Sequence, residues 1–195
     1  GLDMYSLNGS MEAVIEYLES VDCEKAKTAK RFYSCFDRFG GDSQFYGYET
    51  GKRLDRGCER EVMQVLKQFF EKKSSELFGS QQQQQQQQQG TTADVTLKEE
   101  EYFCAQMNAN VVKNAEKYYR NMFDKYDGEN TWNIRDGHMM NTLVSLMEHT
   151  PNGKAVIWAH NSHLGDASQT AMGSTRDEVN LGQLVREHFG MHQCY

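Results

Sequence analysis

Apolar residues recur along most of this chain at the spacing of one helical face. Met11, Val14, Ile15 and Leu18 follow Ser10, a suitable N-cap, at i, i+3, i+4 and i+7. Ala26, Ala29, Tyr33 and Phe36 repeat the pattern after Asp22. Val62, Val65, Leu66, Phe69 and Phe70 make a third stripe, which continues to Leu77 and stops at Gly79 and Ser80. Thr96 and Glu99 fit a capping box ahead of Phe103, Met107, Val111, Ala115, Tyr118 and Met122, which predicts a long amphipathic helix. A further helix is predicted from near Asn133 through Met140, Leu143 and Met147 to about His149, where Pro151, Asn152 and Gly153 form a turn. Asn180 and Gln183 open a last short helix carrying Leu181, Leu184, Val185, His188 and Phe189.

Only "AVIWA", Ala155 to Ala159, reads as a confident strand. It is apolar on consecutive residues, so it is expected to be covered on both faces, in the middle of a parallel or mixed sheet between helices. "LDMYS" near the start is the one other strand candidate. The expected fold class is therefore α/β, the helix-rich part of a mixed or parallel sheet domain flanked by helices. Residues 1–195 then form a partial domain whose missing strands lie outside it. The run Gln81 to Gln89 has no apolar face to bury, and residues 79–95 are expected to be a disordered insertion.

Charge narrows the function. With 195 residues the chain can build a real core. A formal charge of -7 and a pI near 5.4 argue against nucleic acid or an anionic membrane as the main partner. A small-molecule site is the expectation. Five cysteines, at 23, 35, 58, 104 and 194, are odd in number and show no CxxC pair, so they read as reduced thiols. Cys58 and Cys104 sit among apolar stripes as packing residues. No apolar run approaches the ~20 residues of a bilayer span, and a cytoplasmic protein is expected.

Candidate chemistry gathers after the strand, in "HNSH". Ligand sites in open α/β sheets lie at the carboxyl ends of strands, where His160 stands, with His163 on the same loop and Asn161 between them. Imidazole suits proton transfer near neutral pH because its unperturbed pKa is about 6.5. Three other readings stay open for the pair: a helix N-cap, a satisfied buried histidine, or metal ligation, for which no third ligand stands at a fixed spacing. Asp136 heads the stripe of Met140, Leu143 and Met147, where a carboxylate near a helix N-terminus has a cap contact as its simplest role. Arg135 and His138 share another face with Thr142 and Ser145. The chain has no GxSxG elbow, P-loop or dinucleotide fingerprint.

Six blocks in order, "GLDMYSL", "YSCFDRFG", "AEKYYRNMF", "WNIRDGHMMNTL", "VIWAHNSHLGDA" and "NLGQLVREHFG", resemble the erythromycin esterase family. The resemblance implies an α/β fold with a central sheet and hydrolysis of a carboxylic ester or macrolide lactone. It also implies a histidine that activates water as general base, with no cofactor and no required metal. It makes His160 and His163 residues of the active-site cleft; His160, at the strand end, is the first candidate for contact with the reacting centre, either as the base or as partner to an upstream histidine of the family that acts as principal base. Arg135, Asp136 and Asn161 support them. A Glu-x-x-His block that forms the other half of the family's cleft, and a strand after "REHFG", have no counterpart here. Two rivals are a catalytically inactive binding or regulatory fragment of the same fold, and a metal- or haem-binding relative.

Overall fold

Asp22 turns the chain sharply between its first two helices. Its backbone is extended, and its Oδ1 accepts the amides of Glu24 and Lys25, both at 3.1 Å, which satisfies donors that the new helix leaves free. A computed structural model of the protein describes residues 1–79, 92–125 and 128–194. In it Asp22 separates α1 (Leu7–Val21) from α2 (Cys23–Tyr33). Asp42 plays the same part for α3 (Ser43–Gly51), accepting from Gln44 at 2.8 Å and Phe45 at 3.0 Å. The chain continues as α4 (Glu59–Gly79), α5 (Thr92–Met122), α6 (Thr131–His149), α7 (Asn161–Leu164), α8 (Ala171–Arg176) and α9 (Leu181–Phe189).

The helix α5 is the spine, packed against α1, α3, α4 and α6. Its innermost stripe is Ala105, Ala109, Val112, Ala115 and Tyr119. Of the predicted stripe Ala115 lies on it, while Phe103, Met107, Val111, Tyr118 and Met122 are only half-buried. Small side chains let neighbouring backbones come close, and the larger ones pack the flanks. Gly47 of α3 meets α5 most tightly, since a Cβ there would lie 2.3 Å from the carbonyl oxygen of Tyr119. Val14, Leu18, Ala29, Val62, Val65 and Phe69 complete the main core from α1, α2 and α4.

A buried polar knot ties three of these helices. The Tyr46 hydroxyl donates to Glu116 Oε1 at 2.5 Å and accepts the Cys58 amide at 2.9 Å. Arg120 donates to the same carboxylate oxygen at 2.8 Å and reaches Glu59 at 3.2 Å. Burial pushes the Glu116 carboxyl above the usual carboxylate range, while the hydrogen bonds from Arg120 and Tyr46 pull it back.

The α/β expectation is overturned. Among the described residues there is no strand and no sheet, and the architecture is all-α. Residues 154–160 run without helix or ladder, and so does the "LDMYS" segment, Leu2 to Ser6. Val156 is 95% exposed and Trp158 98%, while Ile157 packs with Leu2 on Met139, Met140 and Leu181 of a second, smaller core. Consecutive apolar residues suggested two covered faces. A strand forms only when a neighbour pairs its amides and carbonyls, and no described segment does so. The glutamine run lies outside the described residues, between Gly79 at the end of α4 and Thr92 at the start of α5.

The reduced-thiol expectation is also corrected for one pair. Cys35, in a short 3-10 helix (Ser34–Phe39), and Cys58 form a disulfide with a Cα–Cα distance of 5.9 Å. Spacing alone could not show it, because α3 folds back between the two. Such a bond suits oxidising surroundings better than the reducing cytosol expected from the cysteine pattern. No helix among the described residues is long and apolar enough to cross a membrane.

Cys35 and Cys58 are 23 residues apart in sequence, and closing a loop of that size removes unfolded-state freedom. Reduction, or Cys35→Ser, is expected to lower unfolding stability by about 3 kcal/mol. Urea unfolding with and without dithiothreitol measures it; equal midpoints would contradict the bond.

Candidate functional site

The chemistry-bearing residues converge where α6, the 160–167 loop and the start of α9 meet. Asn130 caps α6 by accepting the Trp132 amide at 2.9 Å, which starts the helix two residues before the predicted Asn133. From that start Asp136 faces inward and is fully buried. Its Oδ2 accepts two hydrogen bonds, from His163 Nδ1 at 2.9 Å and from the backbone amide of Leu181 at 2.8 Å. Leu181 is the first residue of α9, so one carboxylate oxygen serves both as ring partner and as helix N-terminal anion. Burial raises the Asp136 carboxyl above the usual carboxylate range, and the bonds from His163 and Leu181 work against that rise. Its other oxygen, Oδ1, is buried with no partner among the described residues.

His163 is 7% exposed and lies flat on Trp132, with ring centroids 4.6 Å apart and planes 3° from parallel. A carboxylate only accepts, so the bond to Asp136 puts the imidazole proton on Nδ1 and leaves a lone pair on Nε2. That Nε2 has no hydrogen-bond partner among the described residues, and the side chain keeps 9% of its surface exposed.

His160 is exposed and holds the opposite tautomer. It caps α7, its Nδ1 accepting the Ser162 amide at 3.2 Å and meeting the Ser162 hydroxyl at 2.8 Å. An amide only donates, so the neutral ring carries its proton on Nε2. The bland N-cap and buried-histidine readings thus both describe the pair, one for each ring. Asn161 is exposed and gives its carbonyl to the Gly165 amide at 3.3 Å.

Arg135 faces elsewhere. Its Nε and Nη2 grip Asp3 at 3.1 and 2.7 Å, and its guanidinium lies 4.8 Å from the centre of the Tyr5 ring, which fastens the N-terminal segment to α6. His138, on the same side, is buried. Its Nδ1 meets Asn114 Nδ2 at 2.8 Å, and burial lowers its pKa to about 4.

The structure brings Asp136 and His163 together, with Asn161 and His160 at the loop's start and Arg135 outside the group. Two surface clefts lie apart from both histidines. One is lined by Tyr17, Phe69 and Tyr102; the other, of about 260 Å³, runs between α6 and residues 153–157. The expected hollow shared by both rings is not among them. Nor does any group of three or more His, Cys, Asp or Glu among the described residues gather as a metal cage.

Residues that sequence reasoning missed hold the loop in place. Asn180, recognised only as a helix opener, donates to the Ser162 carbonyl at 2.8 Å and accepts the Ala167 amide at 3.3 Å. Arg186 reaches the carbonyls of Leu164 and Gly165 at 3.1 and 3.3 Å. Gly182 lets α9 touch the loop, since a Cβ there would lie 2.1 Å from the Leu164 carbonyl oxygen. Trp132 stands four residues before Asp136, a helical spacing that could have flagged it.

The sequence profile of the family described as Erythromycin esterase matches residues 1–195. No solved structure matches the chain.

Neutral burial of His138 makes α6 sensitive to acid. The unfolded chain takes up this proton near pH 6.5 and the folded one only near pH 4, so the contribution is complete above pH 6.5 and lost as pH falls towards 4. Relative to His138→Gln, the wild type is expected to lose about 3 kcal/mol across that interval. Urea unfolding of both proteins at several pH values tests this, and parallel profiles would refute it.

Proposed function

We propose a mechanism from one premise: the chain belongs to the erythromycin esterase family. Membership indicates an erythromycin esterase-like hydrolase with a small-molecule substrate. The reaction we assign is hydrolysis of a carboxylic ester or macrolide lactone, with His163 as general base. Its carrying observation is the buried Asp136–His163 pair at 2.9 Å, which leaves the Nε2 lone pair of His163 free to take a proton from water.

In this scheme water attacks the carbonyl carbon while its proton passes to His163 Nε2. Asp136 keeps the ring in the Nδ1–H tautomer and stabilises the imidazolium that forms. The oxyanion then collapses, the C–O bond of the ester breaks, and the alkoxide leaves with the proton from His163. His160 carries a proton on an exposed Nε2, which suits it to donate a hydrogen bond to the oxyanion or the leaving oxygen. The tautomers favour this division over His160 as base, because its Nδ1 is held by the Ser162 amide. Asn161 stands beside His160 to orient substrate, and Arg135 supports the site through α6.

In the full chain, His163→Asn is expected to lower kcat for erythromycin lactone hydrolysis by about two powers of ten or more, and His160→Asn by a smaller factor. Steady-state turnover of folded variants tests both. Unchanged kcat in His163→Asn would remove it as the base.

A further inference from the structure

We propose that Trp132 is a positioning residue for His163, fixing the plane in which its Nε2 lone pair points; this rests on the assignment of His163 as the base. The hydrogen bond to Asp136 holds one atom of the imidazole, Nδ1. With Cβ as the covalent tether, the ring is held along one edge only and can still rock about that edge, swinging the far atom Nε2 through an arc. A flat surface against its face removes that rocking. Trp132 supplies that surface at 4.6 Å and 3° from parallel, within the range of offset aromatic stacking.

The indole is itself fixed. Its Nε1 donates to the Val179 carbonyl at 2.9 Å, and the same segment is fastened by Asn133, which donates to the Asp177 carbonyl and accepts the Val179 amide, both at 2.9 Å. Three hydrogen bonds from the first turn of α6 therefore pin residues 177–179, and through them the plane of the indole. Because α9 begins immediately beyond, at Leu181, the chain that pins Trp132 also delivers the amide that binds Asp136. Ring plane and ring partner are set by one short stretch of chain. A filler of space would need only bulk at this position. A plane held parallel to the imidazole needs an aromatic ring, and its π face also favours the imidazolium formed when His163 takes up a proton.

Two variants separate bulk from planarity: Trp132→Phe keeps a ring, and Trp132→Leu keeps an apolar side chain. In folded Trp132→Leu, kcat for erythromycin hydrolysis is expected to fall about tenfold with KM unchanged, and Trp132→Phe to recover most of the loss. A second measurement needs no turnover. The His163 Nδ1 proton, seen by NMR, should exchange at least about tenfold faster in Trp132→Leu than in the wild type or Trp132→Phe. In the wild type itself the His163 Cε1 proton should resonate upfield under the indole ring current. An unshifted resonance, or equal exchange in a folded Trp132→Leu, would overturn the positioning role. A wild type with the shift and the exchange pattern but no esterase activity would overturn the hydrolase reading and leave the positioning role standing.

Discussion

A single buried carboxylate oxygen organises the candidate site. Oδ2 of Asp136 accepts the Nδ1 proton of His163 and the first amide of α9, and it does so away from water. Desolvation makes such a group costly unless each bond is made, so the three parts stabilise one another. If α9 withdraws, the carboxylate loses a donor and the imidazole loses the neighbour that fixes its tautomer. The clamp by Asn180 and Arg186, and the bare backbone of Gly182, serve that same junction by keeping the loop pressed on α9.

The remaining helices hold this junction from a distance. Packing of α5 against α6 links it to the main core, and Arg135 draws the N-terminal segment across the far side of α6. Residues 154–159 carry the opposite character. They lead directly into His160, yet only Ile157 is anchored in the second core while Val156 and Trp158 face solvent, and the hydrogen bonds that hold the loop come from Asn180 and Arg186.

Sequence reasoning reached the helices because local rules fix them. Asn180 caps where its residue type and neighbours said it would, whereas Ser10, read as a cap, lies inside α1, which starts at Leu7, and Thr96, read as opening a capping box, lies inside α5, which starts at Thr92. It missed α3, where Asp42 offered the same signal but Gly47 and Gly51 broke the apolar pattern; those glycines serve a close approach to α5 that no local rule encodes. The sheet expectation failed because apolarity reports what a segment could bury, while pairing depends on what lies beside it. The Cys35–Cys58 bond was invisible for a similar reason, since the pair meets only after α3 folds back. At the site, the stripe containing Asp136 was legible and so was the histidine pair. Which histidine meets the carboxylate was not, because that contact joins positions 27 residues apart.

The central claim is a tautomer. Nitrogen-15 NMR of histidine-labelled protein at pH 8, with His163 assigned by substitution, reads it directly. The account predicts a protonated Nδ1 and a bare Nε2 at His163, with that preference lost in Asp136→Leu. A proton on Nε2, or a wild-type mixture that Asp136→Leu leaves unchanged, would contradict it.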